Sequence, residues 1–224
     1  MDYGGTVASS RITSHDRSAQ FADDFVVENA AGQQARRASH DLGIEPVSPA
    51  TAQVLTLLTH LTSAASLVEI GTGAGVSALA FFAGMPAGGT LTSIDREAEH
   101  HLIARDVLKA AGVSHTQYRL ITGDALSVLP KLRADAYDLV FVDGEFLEYP
   151  EYFEEALRIV RPGGLVILHH ALLRGKVADE ADFDDDTLLV RDTLEAARNL
   201  DGTTLALIPV GDGLLVCSTP AVPD

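Results

Sequence analysis

Residues 67–77 read LVEIGTGAGVS, and this stretch decides the fold. Its first four residues are typical of a buried strand, and Gly71, Gly73 and Gly75 then lead into an apolar helix. Glycines at such a turn allow the backbone to approach a ligand, because no Cβ stands in the way. A dinucleotide-binding turn would have its third glycine at position 76, where this chain has Val76. The stretch therefore predicts a ligand pocket, and Val76 disfavours a dinucleotide as its occupant.

Strand-like and helix-like segments alternate along the rest of the chain. The strand-like segments after the glycine turn are TLTSI (90–94), YRLIT (118–122), DLVFV (138–142) and LVIL (165–168). The last segment, 203–219, predicts two strands around the tight turn Gly211-Asp212-Gly213. Alternating β and α units predict an α/β fold of the Rossmann-like, doubly wound kind, with a mostly parallel sheet covered by helices on both faces. The terminal hairpin would add an antiparallel strand.

The N-terminal part of the chain predicts a helical extension. One helix is expected from about Ser18 to Ala38, although Gly32 disfavours it, and a clearer one begins where Ser48 can cap it and Pro49 suits its first turn. Four apolar residues fall on one face of that second helix: Val54, Leu57, Leu58 and Leu61. The predicted organisation is a flexible segment 1–16 and one domain 17–224, with N-terminal helices 17–62 and a core 66–219.

Composition limits the partners and the location. Thirty-two acidic residues against 16 Lys and Arg give a net charge of −16, which disfavours a nucleic acid or an anionic membrane as main partner. No apolar run approaches the ~20 residues that a bilayer span needs. The N-terminus lacks the basic and apolar parts of a signal peptide, and the single Cys217 excludes an internal disulfide framework. We therefore predict a cytoplasmic protein.

Acidic residues stand at the ends of the predicted strands. Glu69 is costly to bury unless something bonds to it, so it either meets a cationic or amino ligand or faces water on an edge strand. Asp95 ends the second strand, where an acid can accept hydrogen bonds from ribose hydroxyls. Asp124 follows the third strand, where it could read an adenine edge or cap a helix.

Two histidine pairs need an explanation. His169 and His170 directly follow the strand-like LVIL, and could be metal ligands, a base or bystanders. His100 and His101 fall inside a predicted helix, where neighbours diverge by roughly 100°, so surface or half-buried placement is expected.

Several motifs together resemble a known family. They are LVEIGTGAGVSAL, LTSIDREAE, ITGDALSVLP, YDLVFVDGEFLEYPEYF, RPGGLVIL and PVGDGLLV. In order and spacing they are similar to the class I S-adenosylmethionine-dependent O-methyltransferases, in the branch of the catechol and caffeoyl-CoA enzymes and their bacterial relatives. The resemblance implies a seven-stranded sheet with an antiparallel last strand, methylation of a hydroxyl on a small, aromatic acceptor, and a homodimer formed through the N-terminal helices.

The resemblance also implies site residues. The residues expected around S-adenosylmethionine are Val47, Glu69, Gly71, Thr72, Gly73, Ser77, Asp95, Arg96, Asp124, Ala125 and Asp143. Among them, Val47 and Ser77 would contact the methionine part, Asp95 the ribose, and Arg96 with Asp124 and Ala125 the adenine.

The sequence departs from the family at the reacting end. Relatives hold a divalent cation with an Asp after the fourth strand and an Asp-Asn pair after the fifth, and a lysine assists with the proton. Here the first Asp is Asp143, but Phe146 stands at the lysine position and His169-His170 at the Asp-Asn position. Tyr149 and Tyr152 follow, and either pack a helix or shape the acceptor pocket.

Three interpretations of this site are open. Asp143 with one or both histidines could bind a metal, for which imidazole and carboxylate favour Zn, Fe, Ni or Mn over Mg. Both histidines can serve only if the chain turns at once, because adjacent residues of a strand point to opposite faces. Alternatively a histidine acts as a general base without a metal, or the histidines are bystanders. The rival functions are a catalytically degenerate cofactor-binding or regulatory protein and, less favoured, a nicotinamide-dependent oxidoreductase.

Overall fold

The structure, a computed structural model, describes residues 14–221. The strands are β1 Ser66–Ile70, β2 Thr90–Asp95, β3 Tyr118–Thr122, β4 Tyr137–Val142, β5 Val160–Leu168, β6 Thr204–Ile208 and β7 Leu214–Ser218. They form one sheet in the order β3-β2-β1-β4-β5-β7-β6, in which β7 runs antiparallel to both neighbours. The predicted seven-stranded, Rossmann-like sheet with an antiparallel last strand is confirmed. Its order reverses between β1 and β4, where ligands of such sheets bind.

Helices cover both faces of the sheet, as predicted. They are α1 Ser14–Phe25, α2 Ala30–Asp41, α3 Pro49–Leu61, α4 Val76–Gly84, α5 Ala98–Ala110, α6 Ala125–Val128, α7 Tyr149–Ile159 and α8 Asp185–Arg198. Side chains alternate along a strand. Val68 and Val140 therefore pack on α6, α7 and α8, while Leu67 and Phe141 pack on α2 to α5. Among the described helices, none combines the length and the apolar character that a membrane crossing requires.

The N-terminal extension differs from its prediction. The expected single helix Ser18–Ala38 is two helices, because Asn29 caps a new one by accepting a hydrogen bond from Gly32 N at 2.9 Å. Gly32 is thus tolerated in the first turn of α2. The first helix begins at Ser14, inside the segment predicted to be flexible, and residues 1–13 of that segment lie outside the described residues.

The third helix begins as predicted. Ser48 Oγ accepts from Thr51 N at 3.2 Å and Pro49 is the first helical residue. Its fully buried face carries Leu55. Of the four apolar residues that the sequence singled out, Val54 and Leu58 are partly buried and pack against the core, whereas Leu57 and Leu61 are exposed, Leu61 by 69%. The small and polar residues on the buried side allow α3 to lie close to α4.

Candidate functional site

A cavity of about 620 Å³ opens at the carboxyl ends of the parallel strands. Most of the predicted site residues line it, namely Val47, Gly71, Thr72, Gly73, Ser77, Asp95, Arg96, Ala125, Asp143 and His170. The predicted residues Glu69, Asp124 and His169 do not. The cavity runs from the glycine turn after β1 to the residues that follow β4 and β5, so it connects two chemically different ends.

Gly71 lies where the two ends meet. Its φ is +91°, and a Cβ built there would stand 2.0 Å from the backbone oxygen of Asp143. Gly75 also has positive φ, and a Cβ there would meet Ala104 of α5 at 3.3 Å. Both the backbone conformation and the close approach require glycine, because L side chains rarely adopt such φ values. The turn is therefore shaped by its contacts with β4 and α5.

Asp95 holds the glycine turn from the end of β2. Its Oδ2 accepts hydrogen bonds from Thr72 N at 2.9 Å, Gly73 N at 3.0 Å and His100 Nδ1 at 3.0 Å. Its Oδ1 accepts from Glu97 N at 2.9 Å. The Asp95 carboxylate, which the sequence predicted to bind ribose, thus holds in place the glycine turn that borders the cavity.

Glu69 lies beneath the turn and is completely buried. It stands on β1, between β2 and β4, so the edge-strand alternative is wrong. Ser77 Oγ and Ser93 Oγ each donate to one of its carboxyl oxygens at 2.5 Å. Burial raises the pKa of Glu69 to about 8, although the two serine hydrogen bonds act in the opposite direction. Glu69 is thus an internal partner of Ser77 and Ser93.

The hydrogen bonds continue from Ser93 to a buried histidine. Ser93 Oγ lies 2.6 Å from Thr72 Oγ1, which lies 2.9 Å from His101 Nε2, and His101 Nδ1 lies 2.9 Å from Thr122 Oγ1. His101 is 4% exposed, and burial lowers its pKa. The expected surface or half-buried placement is wrong for His101. The signal that could have indicated its burial was its position in the sequence, because His100 and His101 both follow the carboxyl end of β2 within two helical turns.

Asp124, which follows β3, takes the helix-capping role that the sequence left open. Asp124 is the N-cap of α6, where its Oδ2 accepts from Ser127 N at 3.0 Å, and its Oδ1 accepts from Arg96 at 3.2 Å. The hydrogen bonds from Ser127 lower the pKa of Asp124, and Arg96 adds to the shift. Arg96 also pairs with Glu148, which ties the end of β2 to the segment after β4.

At the other end of the cavity the chain turns immediately after β5. His170 has a φ of +52°, in the left-handed region, so its ring does not alternate away from that of His169. The two ring centroids are 3.9 Å apart. His169, 3% exposed, donates from Nδ1 to Asp143 Oδ1 at 2.8 Å, while His170 faces the cavity. The sequence indicated that both histidines could share one site only if the chain turned at once after the strand, and it does so at His170.

His170 is held between two carboxylates. Its Nδ1 donates to Asp212 Oδ2 at 2.7 Å, and its Nε2 lies 3.5 Å from Asp143 Oδ1. Burial lowers the pKa of His170, but the bond to Asp212 and the charge of Asp143 outweigh it and raise the pKa above its usual value. Burial would raise the pKa of Asp143, yet His169 and His170 lower it. Sequence analysis missed Asp212, whose only signal was the predicted Gly-Asp-Gly turn.

Comparison with known proteins identifies the family. A family model described as O-methyltransferase matches residues 17–219. The chain belongs to the O-methyltransferase family. A protein of Mycobacterium sp. (strain JLS) whose name places it among the O-methyltransferases is 40% identical over 197 residues, which cover 88% of this chain and 90% of that protein.

Solved structures, among them that of an O-methyltransferase, share the fold. TomG from Streptomyces achromogenes, an O-methyltransferase involved in tomaymycin synthesis and crystallised with S-adenosylmethionine, is 30% identical, with a TM-score of 0.82 over 90% of this chain and 95% of that one. A protein of Corynebacterium glutamicum is 29% identical, with a TM-score of 0.87 over 95% and 99% of the two chains. The nicotinamide-dependent alternative receives no support from these relatives.

The donors that this chain offers at the expected position of the divalent cation favour some metals over others. One oxygen and two nitrogens come together at Asp143, His169 and His170, whose prospective ligand atoms lie within 4.8 Å of one another. Magnesium favours an octahedral shell of oxygen ligands, so this donor set does not fit it. Imidazole with carboxylate is a set for transition metals. That these three residues bind such a metal stays a prediction.

Phe146 completes the end of the cavity that Asp143 and His170 line. Its ring stands edge-on to His170 at 5.4 Å between centroids and lies 5.4 Å from Tyr149. Tyr149 is buried and donates to the backbone oxygen of His169 at 3.0 Å, whereas Tyr152 lines the cavity. The sequence left open whether these two tyrosines pack a helix or shape the pocket. In the structure Tyr149 packs in the core and supports His169, whereas Tyr152 borders the cavity.

Proposed function

We propose that this O-methyltransferase moves the methyl group of S-adenosylmethionine to a hydroxyl oxygen of a small, aromatic acceptor. The observation that carries the proposal is the continuity of the cavity, which joins the glycine turn to His170 and Asp143 within about 620 Å³. Small-molecule sites commonly have volumes of roughly 300–1,000 Å³. The related TomG, crystallised with S-adenosylmethionine, supports the choice of donor.

The cofactor would occupy the end formed by the glycine turn. Its methionine part would lie near Val47 and Ser77, its ribose near Asp95, and its adenine near Arg96 and Ala125, all of which border the cavity. Glu69 and Asp124 would act indirectly. Glu69 fixes Ser77 through a hydrogen bond, and Asp124 fixes Arg96 through an ion pair.

The acceptor would occupy the end formed by Asp143, Phe146 and His170. The acceptor oxygen attacks the methyl carbon in line with the leaving sulfur, so an O–C bond forms and an S–C bond breaks, leaving S-adenosylhomocysteine. The hydroxyl proton passes to Nε2 of His170, where the nearby Asp143 carboxylate stabilises the positive charge. Phe146 cannot take a proton and instead provides an apolar wall for an aromatic ring.

The test uses chelator-treated protein, labelled S-adenosylmethionine, and a panel containing a catechol, a monophenol and an aliphatic alcohol. With the best acceptor, His170→Gln should lower kcat by roughly 10²–10⁴-fold, the usual contribution of a positioned base, and leave S-adenosylmethionine affinity unchanged. His115→Gln, which alters an exposed histidine, is the matched control. Tight cofactor binding without turnover of any acceptor would favour a degenerate binding protein. Activity that depends on an added transition metal would favour the metal site.

A homodimer in the cytoplasm remains part of the proposal. Support for the dimer comes from exposed apolar residues on the N-terminal helices, with Phe21 and Phe25 on α1 and Leu57 and Leu61 on α3. Residues of this kind in a contiguous patch commonly mark a protein interface. Sedimentation of the protein, alone and with Leu61→Glu, measures the assembly directly.

A further inference from the structure

The β6–β7 turn reaches across to the segment that follows β5. The backbone oxygen of Asp212 accepts from Leu172 N at 3.0 Å, and its Oδ1 accepts from Arg174 N at 2.5 Å. Gly213, with a φ of +87°, lies so close that a Cβ there would stand 2.9 Å from Leu172 N. These contacts fix the remaining oxygen, Oδ2, against Nδ1 of His170 at 2.7 Å.

The contact with Asp212 determines which nitrogen of His170 carries the proton. A carboxylate only accepts hydrogen bonds, so Nδ1 must be the donor, and Nε2 of the neutral ring then carries a lone pair. Nε2 is the nitrogen near Asp143, and the residue lines the cavity. The other tautomer would place two acceptors against each other at 2.7 Å.

The ring has little freedom to leave this orientation. His170 stands at positive φ, its ring lies 3.9 Å from that of His169 at a tilt of 42°, and Phe146 packs edge-on against it. Once Nε2 has taken a proton, it becomes a donor that faces Asp143 Oδ1, while Nδ1 keeps its bond to Asp212. The arrangement therefore favours a proton that arrives from the cavity.

We propose that Asp212 is a positioning residue for methyl transfer, which holds His170 in the Nδ1–H tautomer so that Nε2 accepts the proton of the substrate hydroxyl. This inference rests on the proposed function of the same site. Asp212 acts through His170 and does not line the cavity itself. The nearby acids do not substitute for it, because Asp143 is bonded to His169 and Glu45 pairs with Arg174.

Asp212→Asn is the sharpest test, because the amide keeps the size and the acceptor for Arg174 N but can donate to Nδ1. We expect His170 to change to the Nε2–H tautomer, and kcat to fall at least about 10²-fold, as when an orienting carboxylate is lost beside a catalytic imidazole. Affinity for S-adenosylmethionine and acceptor KM should change less than about threefold. Asp201→Asn, at an exposed Asp-Gly turn that also precedes a strand, is the matched control and should change neither quantity.

Nitrogen-15 spectra of histidine-labelled protein read the tautomer directly, with His170→Gln used to assign the signals. A wild-type His170 in the Nε2–H form would overturn the inference, even if the Asn variant failed to fold. Full kcat in a folded Asp212→Asn protein would also overturn it. If the wild type methylates no acceptor while its His170 is in the Nδ1–H form, the proposed function fails and the positioning contact stands. A bound transition metal on Nε2 would overturn the role of His170 as a base.

Discussion

An acidic group stands near each end of the cavity, and its partners differ between the two ends. Beneath the proposed cofactor end, Glu69 is enclosed by two serine hydroxyls, and its carboxyl group is wholly removed from solvent. Hydrogen bonds continue from Ser93 through Thr72 to His101. At the proposed acceptor end, the partly buried Asp143 and Asp212 flank His170, which faces the cavity. The carboxyl group of Glu69 is bonded entirely within its own cluster, whereas Nε2 of His170 remains available to a ligand in the cavity.

The difference follows from the charge that each cluster is able to stabilise. Around Glu69 the partners are hydroxyls, so burial dominates and raises the pKa of the carboxyl to about 8. Around Asp143 the partners are imidazoles, whose charge lowers the pKa of the carboxyl despite burial. A closed neutral cluster stabilises the glycine turn that borders the cavity, whereas an open charged cluster is suited to exchanging a proton with a ligand.

Gly71→Ala should have the largest effect, because this residue joins the two ends. The new Cβ would stand 2.0 Å from the backbone oxygen of Asp143, and the residue would keep its φ of +91°. Overpacking and left-handed strain together should lower the free energy of unfolding by about 3 kcal/mol or more. Gly43→Ala has the same kind of φ with nothing within 4 Å, so it should cost only about 1 kcal/mol. Urea unfolding compares the two, and equal losses would contradict the close approach.

Glu69→Gln should change how stability depends on pH. The folded pKa of about 8 lies above the ordinary glutamate value of 4.5, so the folded state retains a proton that the unfolded state loses between these values. Wild-type stability should therefore fall as pH rises through this window, approaching ~1.4 kcal/mol per pH unit from this group, or about 2 kcal/mol between pH 6 and 7.5.

The Gln variant should lack this component, so the difference in unfolding free energy between variant and wild type should change with pH in that interval. Glu99→Gln, an exposed position on α5, serves as the control and should leave the slope unchanged. A pH-independent difference for the Glu69 variant would mean that Glu69 is ionised inside the fold, contrary to the described burial.

The rate of methyl transfer should depend on pH through the titration of His170. Although burial opposes it, the bond to Asp212 and the charge of Asp143 raise the pKa of His170 above its usual 6.5. A base acts when it is unprotonated, so kcat/KM should increase with pH and fall tenfold per unit below that pKa, a change of ~1.4 kcal/mol per unit in the barrier. Rates measured from pH 5.5 to 9 test this. A profile that is flat through this range would exclude His170 as the base.

Local sequence patterns were enough for most of the strands and helices and for the glycine turn. The glycine turn, the acid that ends β2 and the Ser48-Pro49 helix start each depend on a few adjacent residues, and the structure has them at those positions. The break between α1 and α2 was missed because a capping asparagine competes with a continuous helical pattern. The predicted apolar face of α3 was only partly correct, because close packing on α4 selects small and polar residues on the buried side and leaves Leu57 and Leu61 exposed.

The sequence by itself determined the fold class, the glycine turn and the presence of Asp143 and the two histidines at strand ends, because strand and turn propensities are local. Only the tertiary structure decided how those groups meet. Asp212 is 42 residues from His170 along the chain and bonds to it because β7 enters the sheet beside β5. The positive φ of His170 and the enclosure of Glu69 likewise arise from long-range packing, which no short stretch of sequence encodes.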